Sequence, residues 1–283
     1  MGTPRDDRIH LVTRLLAGFV IVILFLAFVA LYIRPTHTDV NFAWTIQPPT
    51  SAMLFGAGYT AGGYFFMRLL QQKKWHRVQA GFLPIAAFTV IMLISTLLHW
   101  SRFHHASAAF YLWTGIYVVT PFILPWIWWR NQRTESKDLE ENDLRFSVPV
   151  RRGLTGIGAV GILFFLVMFV WPSFLIPLAP WKLTELTARV FCGWSILAFG
   201  CVLSIARDGR WSAARTMLES ALVAIALTLV ALPSMWADLD LTRPMTYIFI
   251  AGLGLSLIGF GLVHVWLDRS SRMKPALTGL ADE

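Results

Sequence analysis

The chain has 283 residues, of which 56% are hydrophobic and only 14% are charged, and its formal net charge is +8. A soluble domain carries about 25% charged residues, so this composition excludes an ordinary soluble domain and favours a membrane protein. The basic residues cluster at the ends of apolar runs, a distribution that sets membrane topology and does not form a nucleic-acid-binding face. We therefore expect the lipid bilayer as a partner and no nucleic acid.

Eight apolar runs follow one another along the chain. Each is long enough to cross a hydrocarbon core of about 30 Å as an α-helix, which rises about 1.5 Å per residue. The runs cover, approximately, residues 9–33, 51–70, 78–99, 107–129, 153–171, 183–206, 212–235 and 244–267. The first run is longer than the apolar region of a signal peptide, so we expect a retained helix. The sequence predicts an all-α, polytopic transmembrane bundle of eight helices.

The pattern of apolar runs and charged breaks in residues 42–130 recurs in residues 181–266. A shift of 136 aligns Ala52 with Ala188, Phe55 with Phe191, Trp75 with Trp211, Trp100 with Trp236, and Tyr111 with Tyr247. Upstream, a shift of 137 aligns Arg14 with Arg151, Pro35 with Pro172, and Trp44 with Trp181. The identities are few, and some would coincide by chance in a chain with 13 Trp residues, so the common rhythm is the stronger evidence. Unrelated helices fitted to one bilayer thickness would also produce that rhythm. The alignment predicts two four-helix repeats.

The charged breaks predict the domain organisation and the topology. We expect a first transmembrane repeat in residues 1–130, a charged cytoplasmic linker in 131–150, a second repeat in 151–268 and a disordered cytoplasmic tail in 269–283. Most of the 24 Lys and Arg residues lie on the side of the two termini, which predicts a cell-membrane protein with both termini cytoplasmic. Four crossings per half is an even number, so the repeats are predicted to be parallel, related by an axis along the membrane normal.

A ligand-binding crevice is predicted near the outer face, between the repeats. Two apolar, proline-rich connectors, residues 36–50 and 172–182, are too short for another crossing, and apolar segments of this kind lie in the interface or against the bundle. The predicted lining residues are Trp44, Tyr59, His99, Trp181, Glu185 and Arg189. A structural explanation is also open: Trp residues form interfacial belts, and Glu185 with Arg189 has the favourable spacing of a helical ion pair.

Glu219 is the one carboxylate well inside an apolar run, and an ionisable group in a membrane is by default a functional hypothesis. Arg215 lies one helical turn before it, and His264 is expected at a similar depth. These three residues are the alternative site. The competing interpretation is a local Arg–Glu pair near the interface.

No catalytic residue, metal ligand or cofactor is predicted. His99 and His264 are expected at opposite ends of their helices, so they are too far apart to ligate one haem. The sequence has no paired-carboxylate, nucleophile–histidine or phosphate-loop motif.

The main functional hypothesis is a non-enzymatic integral membrane protein that binds a small or lipidic molecule, or a partner subunit, near the outer face. A second membrane protein or another copy of the chain is a further expected partner. Two alternatives stay open: a secondary transporter with a site between the halves, and a haem or redox membrane subunit. The scarcity of polar residues near mid-membrane weighs against a carrier of charged solutes.

Overall fold

A computed structural model of the chain describes residues 6–136, 140 and 143–278, with side chains up to Arg272. The described residues form nine α-helices, of which eight are long. They are α1 (Leu11–Phe28, continued by a π-helical turn Val29–Ile33), the short α2 (Thr38–Asn41), α3 (Pro49–Gln71), α4 (Phe82–Leu98), α5 (Ala108–Gln132), α6 (Val148–Val170), α7 (Glu185–Asp208), α8 (Trp211–Met235) and α9 (Pro244–Thr278). The predicted all-helical class is confirmed.

Seven of the long helices are long and apolar enough to cross a membrane, and α3 is not among them. At 23 residues α3 has the length, but four glycines and several hydroxyl residues dilute its apolar character. This lower apolar character fits the position of α3, which packs against both α1 and α8 and buries twelve of its residues. A helix that is shielded by protein does not need a fully apolar surface, whereas a lipid-facing helix does.

The local sequence accounts for several helix ends. The hydroxyl of Ser107 accepts a hydrogen bond from the Phe110 amide at 3.1 Å, and the hydroxyl of Thr184 accepts one from the Thr187 amide at 3.2 Å, so both residues cap helix starts. α7 ends at Gly209, whose φ of 80° lies in the left-handed region that favours glycine.

Four helices form the centre of the bundle and four lie outside them. α3 packs against α8 and α4 packs against α7, while α1, α5, α6 and α9 cover α3, α4, α7 and α8, respectively. We name the two ends of the bundle by their connections. The linker end holds the start of α1, residues 72–81, the α5–α6 linker and residues 209–210; the connector end holds residues 34–48, 99–107, 171–184 and 236–243.

Contacts at the linker end recur in the two halves of the chain. Arg14 donates to the Leu70 and Gln72 carbonyls, and its aligned residue Arg151 donates to the Ala206 and Arg207 carbonyls. Two isolated bridges pair residue 8 with 74 and residue 145 with 210. The bridges and the Leu70 and Ala206 acceptors join aligned residues, whereas the second acceptors, Gln72 and Arg207, are offset by one position.

The connector end repeats its contacts in the same way. The His104 amide donates to the Ala43 carbonyl at 2.9 Å, and the Asp240 amide donates to the Pro180 carbonyl at 2.7 Å. Near the centre of the bundle, the rings of Phe55 and its aligned residue Phe191 lie 5.4 Å apart.

Two glycines of α3 allow close helix approach. A Cβ on Gly58 would lie 2.9 Å from the Trp194 ring, and one on Gly62 would lie 3.2 Å from Leu24. The GxxxG spacing of these residues therefore serves packing against α7 on one side and α1 on the other.

Two acidic residues of the predicted linker are buried, and part of the predicted tail is helical. Glu135 and Asp143 of the predicted solvated linker are buried, because each carboxylate binds partners near the start of α8. α9 continues to Thr278, ten residues into the segment that we predicted as a disordered tail. Residues 279–283 of that prediction lie outside the described residues.

Candidate functional site

Three of the six residues predicted for the outer crevice meet at the connector end. The Arg189 guanidinium donates from Nη1 to His99 Nε2 at 2.6 Å and lies 3.3 Å from Glu185 Oε2. Its Nε donates to the Phe169 carbonyl at the end of α6 at 3.2 Å. The arrangement ties the ends of α4, α6 and α7 together. A guanidinium has no acceptor atom, so His99 accepts this bond with an unprotonated Nε2.

Burial and the nearby positive charge of Arg189 lower the pKa of His99 below its usual value. The native state therefore disfavours the imidazolium form, and the stabilisation from neutral His99 is complete above about pH 6.5 and is lost as pH falls through the native pKa. We expect the wild-type melting temperature to fall more between pH 7.5 and pH 5 than that of a His99→Gln variant. The control is His37→Gln, which removes an exposed histidine at the same end; an unchanged pH profile for His99→Gln would contradict the assignment.

The other three predicted residues do not join this cluster. Trp44 is buried against Phe103 and Trp113, and Trp181 is buried with its indole nitrogen donating to Ser51 Oγ at 2.8 Å. Both connectors therefore fold back against the bundle. The Tyr59 ring lies farther inside, against the Trp194 ring, and its hydroxyl is 3.0 Å from that of Tyr117. These three residues anchor the packing around the predicted crevice.

The outer cluster has an apolar counterpart in the other half of the molecule. The shift of 136 aligns Arg189 with Met53 and His99 with Met235. The two methionines pack together with Ala231 at the connector end of α3 and α8. The polar pair thus joins α4 to α7, whereas apolar side chains occupy the aligned positions between α3 and α8.

The alternative site, around Glu219, is a charged cluster between α3, α8 and α9. Glu219 accepts hydrogen bonds from Tyr64 at 2.9 Å and from Arg215 at 3.0 Å, and its Oε1 lies 3.2 Å from His264 Nε2. Arg68 Nε lies 3.1 Å from the second carboxylate oxygen. The sequence predicted the partners Arg215 and His264, and the structure adds Tyr64 and Arg68.

Arg215 continues this cluster towards the linker end, where its Nη1 lies 2.9 Å from Asp268 Oδ1. Asp268 also binds Arg272 at 2.8 Å. Both carboxylates are mostly shielded from solvent, with 13% of the Glu219 side chain and 14% of the Asp268 side chain exposed. Every charge in the cluster therefore has an opposite charge in direct contact, as ionisable groups in a membrane require.

A groove of about 470 Å³ lies at the linker end of α4, between the ends of α5 and α7. Its deeper wall is formed by Leu83, Trp128 and Ser204. Its rim is polar and comprises Gln79, Gln132, Glu135, Arg145, Arg207, Asp208 and Arg210. The apolar side chains lie within the membrane-crossing helices, whereas most of the charged ones lie at or beyond the helix ends. The groove is therefore apolar along the helices and polar at the helix ends.

A buried ionic network forms the rim between Glu135, Asp208 and Arg210. Arg210 Nη2 lies 2.6 Å from Glu135 Oε1, and its Nε lies 2.7 Å from Asp208 Oδ1. Gln79 donates to both carboxylates at 2.6 Å, and Gln132 donates to Glu135. The network attaches the linker to the starts of α4 and α8.

A second, smaller cavity of about 160 Å³ lies beside the Glu219 cluster and is equivalent to the groove by the shift of 136. Five pairs of aligned residues line the two cavities. With the groove residue first, they are Gln79 and Arg215, Ala80 and Thr216, Glu135 and Ser271, Ser204 and Arg68, and Asp208 and Gln72. At the deeper wall, Glu219 aligns with Leu83 and His264 with Trp128. Charged side chains therefore stand beside the smaller cavity at positions where the groove has an apolar wall.

The groove at Gln79, Arg145 and Arg207 was not among the sites predicted from the sequence. A signal was present, because extending the repeat alignment pairs the charged Glu219 with the apolar Leu83 and so marks a position where the halves differ. The depth of the groove was not visible, because it depends on how far apart the ends of α5 and α7 lie.

Among the described residues, no group of three or more His, Cys, Asp and Glu side chains is arranged to hold a metal ion. His99 lies at the connector end and His264 near the linker end, as their positions in the helices predicted. Comparisons with protein-family models, with curated proteins and with solved structures gave no match, so the site is interpreted from its own chemistry.

Proposed function

We propose that the protein is a non-enzymatic integral membrane protein that binds a lipidic molecule in the groove at the linker end of α4. The observation that carries the proposal is the groove itself, about 470 Å³ with apolar side chains towards mid-membrane and charged side chains at the rim. Its volume is within the range of about 300–1,000 Å³ that is usual for ligand sites. The polarity gradient matches a molecule with a polar head and an apolar body.

The proposal includes two parallel four-helix repeats. It is supported by the main helix pairings, since α1 on α3 corresponds to α6 on α7 and α4 on α5 to α8 on α9, and by aligned residues that make equivalent hydrogen bonds. The near-axial contact of Phe55 with Phe191 supports an axis through the centre of the bundle. We take the linker end as cytoplasmic, in the cell membrane, since most Lys and Arg residues belong to the segments at this end.

The centre between the repeats favours a binding protein over a carrier. Aromatic side chains fill it, with Tyr59 and Phe88 both packed against Trp194 and with Met92 against Gly193. The outer crevice stays a prediction. Its Arg189 already has His99, Glu185 and a carbonyl as partners within the chain.

The test is to fill the groove without changing its charge. A Ser204→Trp variant places a large side chain at the groove wall, and we expect it to lose most of the lipid that wild-type protein retains in native mass spectrometry after purification in mild detergent. The control is Leu255→Trp, which adds the same side chain to a position on α9 that is 71% exposed. Equal lipid retention by all three proteins, with unchanged melting temperatures, would reject the site.

A further inference from the structure

We infer that the groove selects a lipid with an anionic phosphate headgroup and that Arg145 and Arg207 hold the phosphate. The inference rests on the proposed function, because it assigns the headgroup of the lipidic ligand proposed for this groove. It is drawn from the charges that the groove leaves unneutralised and from the way in which the second half fills the equivalent space.

The acidic side chains of the rim are already committed to partners inside the protein. Glu135 and Asp208 share the guanidinium of Arg210 and accept hydrogen bonds from Gln79. Arg145 and Arg207 also line the groove and are exposed, and within the described part of the chain their side chains have neither a hydrogen bond nor an ion pair. Two carboxylates face three guanidiniums, so the rim carries a net positive charge.

Beside the second cavity, carboxylates occupy positions that align with neutral residues of the groove. Where the groove has Leu83, the second half has Glu219, and its carboxylate lies between Arg68 and Arg215. Where the groove has Gln132, the second half has Asp268, which binds Arg215 and Arg272. The helix ends around Glu219 thus accommodate negative charge, which the protein's own carboxylates supply.

The groove offers the same framework without those carboxylates. Leu83 and Trp128 supply an apolar wall, and Arg145 and Arg207 lie beyond it at the end of the bundle. Basic pockets between transmembrane helices at the cytoplasmic surface bind anionic headgroups, because the phosphate pairs with guanidinium groups while the acyl chains stay in the hydrocarbon. The geometry therefore matches a phosphate at the rim and acyl chains along Leu83 and Trp128.

The experiment titrates delipidated full-length protein with phosphatidylglycerol or phosphatidylcholine in detergent and counts bound lipids by native mass spectrometry. We expect wild-type protein to bind phosphatidylglycerol more tightly. Arg145→Gln and Arg207→Gln should each weaken that binding about five-fold, the scale of one basic residue at an anionic surface, and leave phosphatidylcholine binding unchanged. Arg8→Gln is the matched control, since Arg8 aligns with Arg145, is largely exposed and pairs with Asp6.

The outcomes separate this inference from the proposed function. If lipid binds and Ser204→Trp abolishes it, but the two headgroups bind equally or the arginine variants have no effect, the groove binds lipid and the headgroup assignment is wrong. If glycerol 3-phosphate displaces phosphatidylglycerol at comparable concentration, the groove binds the phosphate group alone, and the assignment of a lipid ligand is wrong. If wild-type protein binds neither lipid, both the function and the inference fall.

Discussion

Replacing Glu219 with leucine is expected to destabilise the folded protein by about 3–5 kcal/mol, the cost of breaking a buried ion pair on one side. The change removes the carboxylate that Arg68, Arg215 and His264 share, at a position where only 13% of the side chain is exposed. Arg215 keeps Asp268, whereas Arg68 loses its only ion-pair partner among the described residues. The measurement is the free energy of unfolding in detergent micelles.

A triple variant distinguishes charge from packing in this cluster. Arg68→Ser, Glu219→Leu and His264→Trp together install the residues found at the aligned positions Ser204, Leu83 and Trp128. We expect it to recover most of the stability that Glu219→Leu loses, because no unpaired charge is left between the helices. Glu185→Gln, which removes an exposed carboxylate from an ion pair, should cost less than about 1 kcal/mol. Equal losses for Glu219→Leu and Glu185→Gln would contradict this account.

The second large effect is expected at the linker end, where an Arg210→Gln variant should lose about 3–5 kcal/mol. Burial alone would lower the pKa of Arg210, but its hydrogen bonds with Asp208 and Glu135 outweigh that effect and raise the pKa above its usual value. Without the guanidinium, two carboxylates with 6% of their side chains exposed would have only neutral donors among the described residues. The free energy of unfolding should fall accordingly.

The aligned residue provides the control for Arg210. Lys74 occupies the equivalent position in the first half, half of its side chain is exposed, and it lies 3.3 Å from Glu140. Because an exposed ion pair contributes little, Lys74→Gln should change the free energy of unfolding by no more than about 1 kcal/mol. If the two variants lose the same stability, the burial of the Arg210 network has no energetic consequence and its role in attaching the linker is wrong.

The helical class and several contacts were predictable because they depend on neighbours in sequence. The pairs Glu185–Arg189 and Arg215–Glu219 follow from a spacing of four residues, and they are present at 3.3 and 3.0 Å. The contact between Arg68 and Glu219 joins two distant helices and required the packing of α3 on α8. The sequence also predicted α3 as a membrane crossing. Its composition is less apolar than that of the other seven long helices, and protein shields it on two sides.

The groove was the least predictable part of the site. Its existence depends on a difference between aligned positions, with Leu83 in one half and Glu219 in the other, and on the distance between helix ends that no spacing rule gives. The sequence instead drew attention to Trp44 and Trp181, since aromatic residues in proline-rich connectors are conspicuous. Both side chains are buried in the packing, with 2% of each exposed, so they hold the connectors in place.

The most direct test of the account is an electron cryomicroscopy map of the protein in phosphatidylglycerol nanodiscs. We expect headgroup density between Arg145 and Arg207, acyl-chain density along Leu83 and Trp128, and no lipid in the equivalent space around Glu219. A groove occupied by the protein's own side chains, or lipid at the Glu219 cluster instead, would contradict the assignment of this groove as the ligand site.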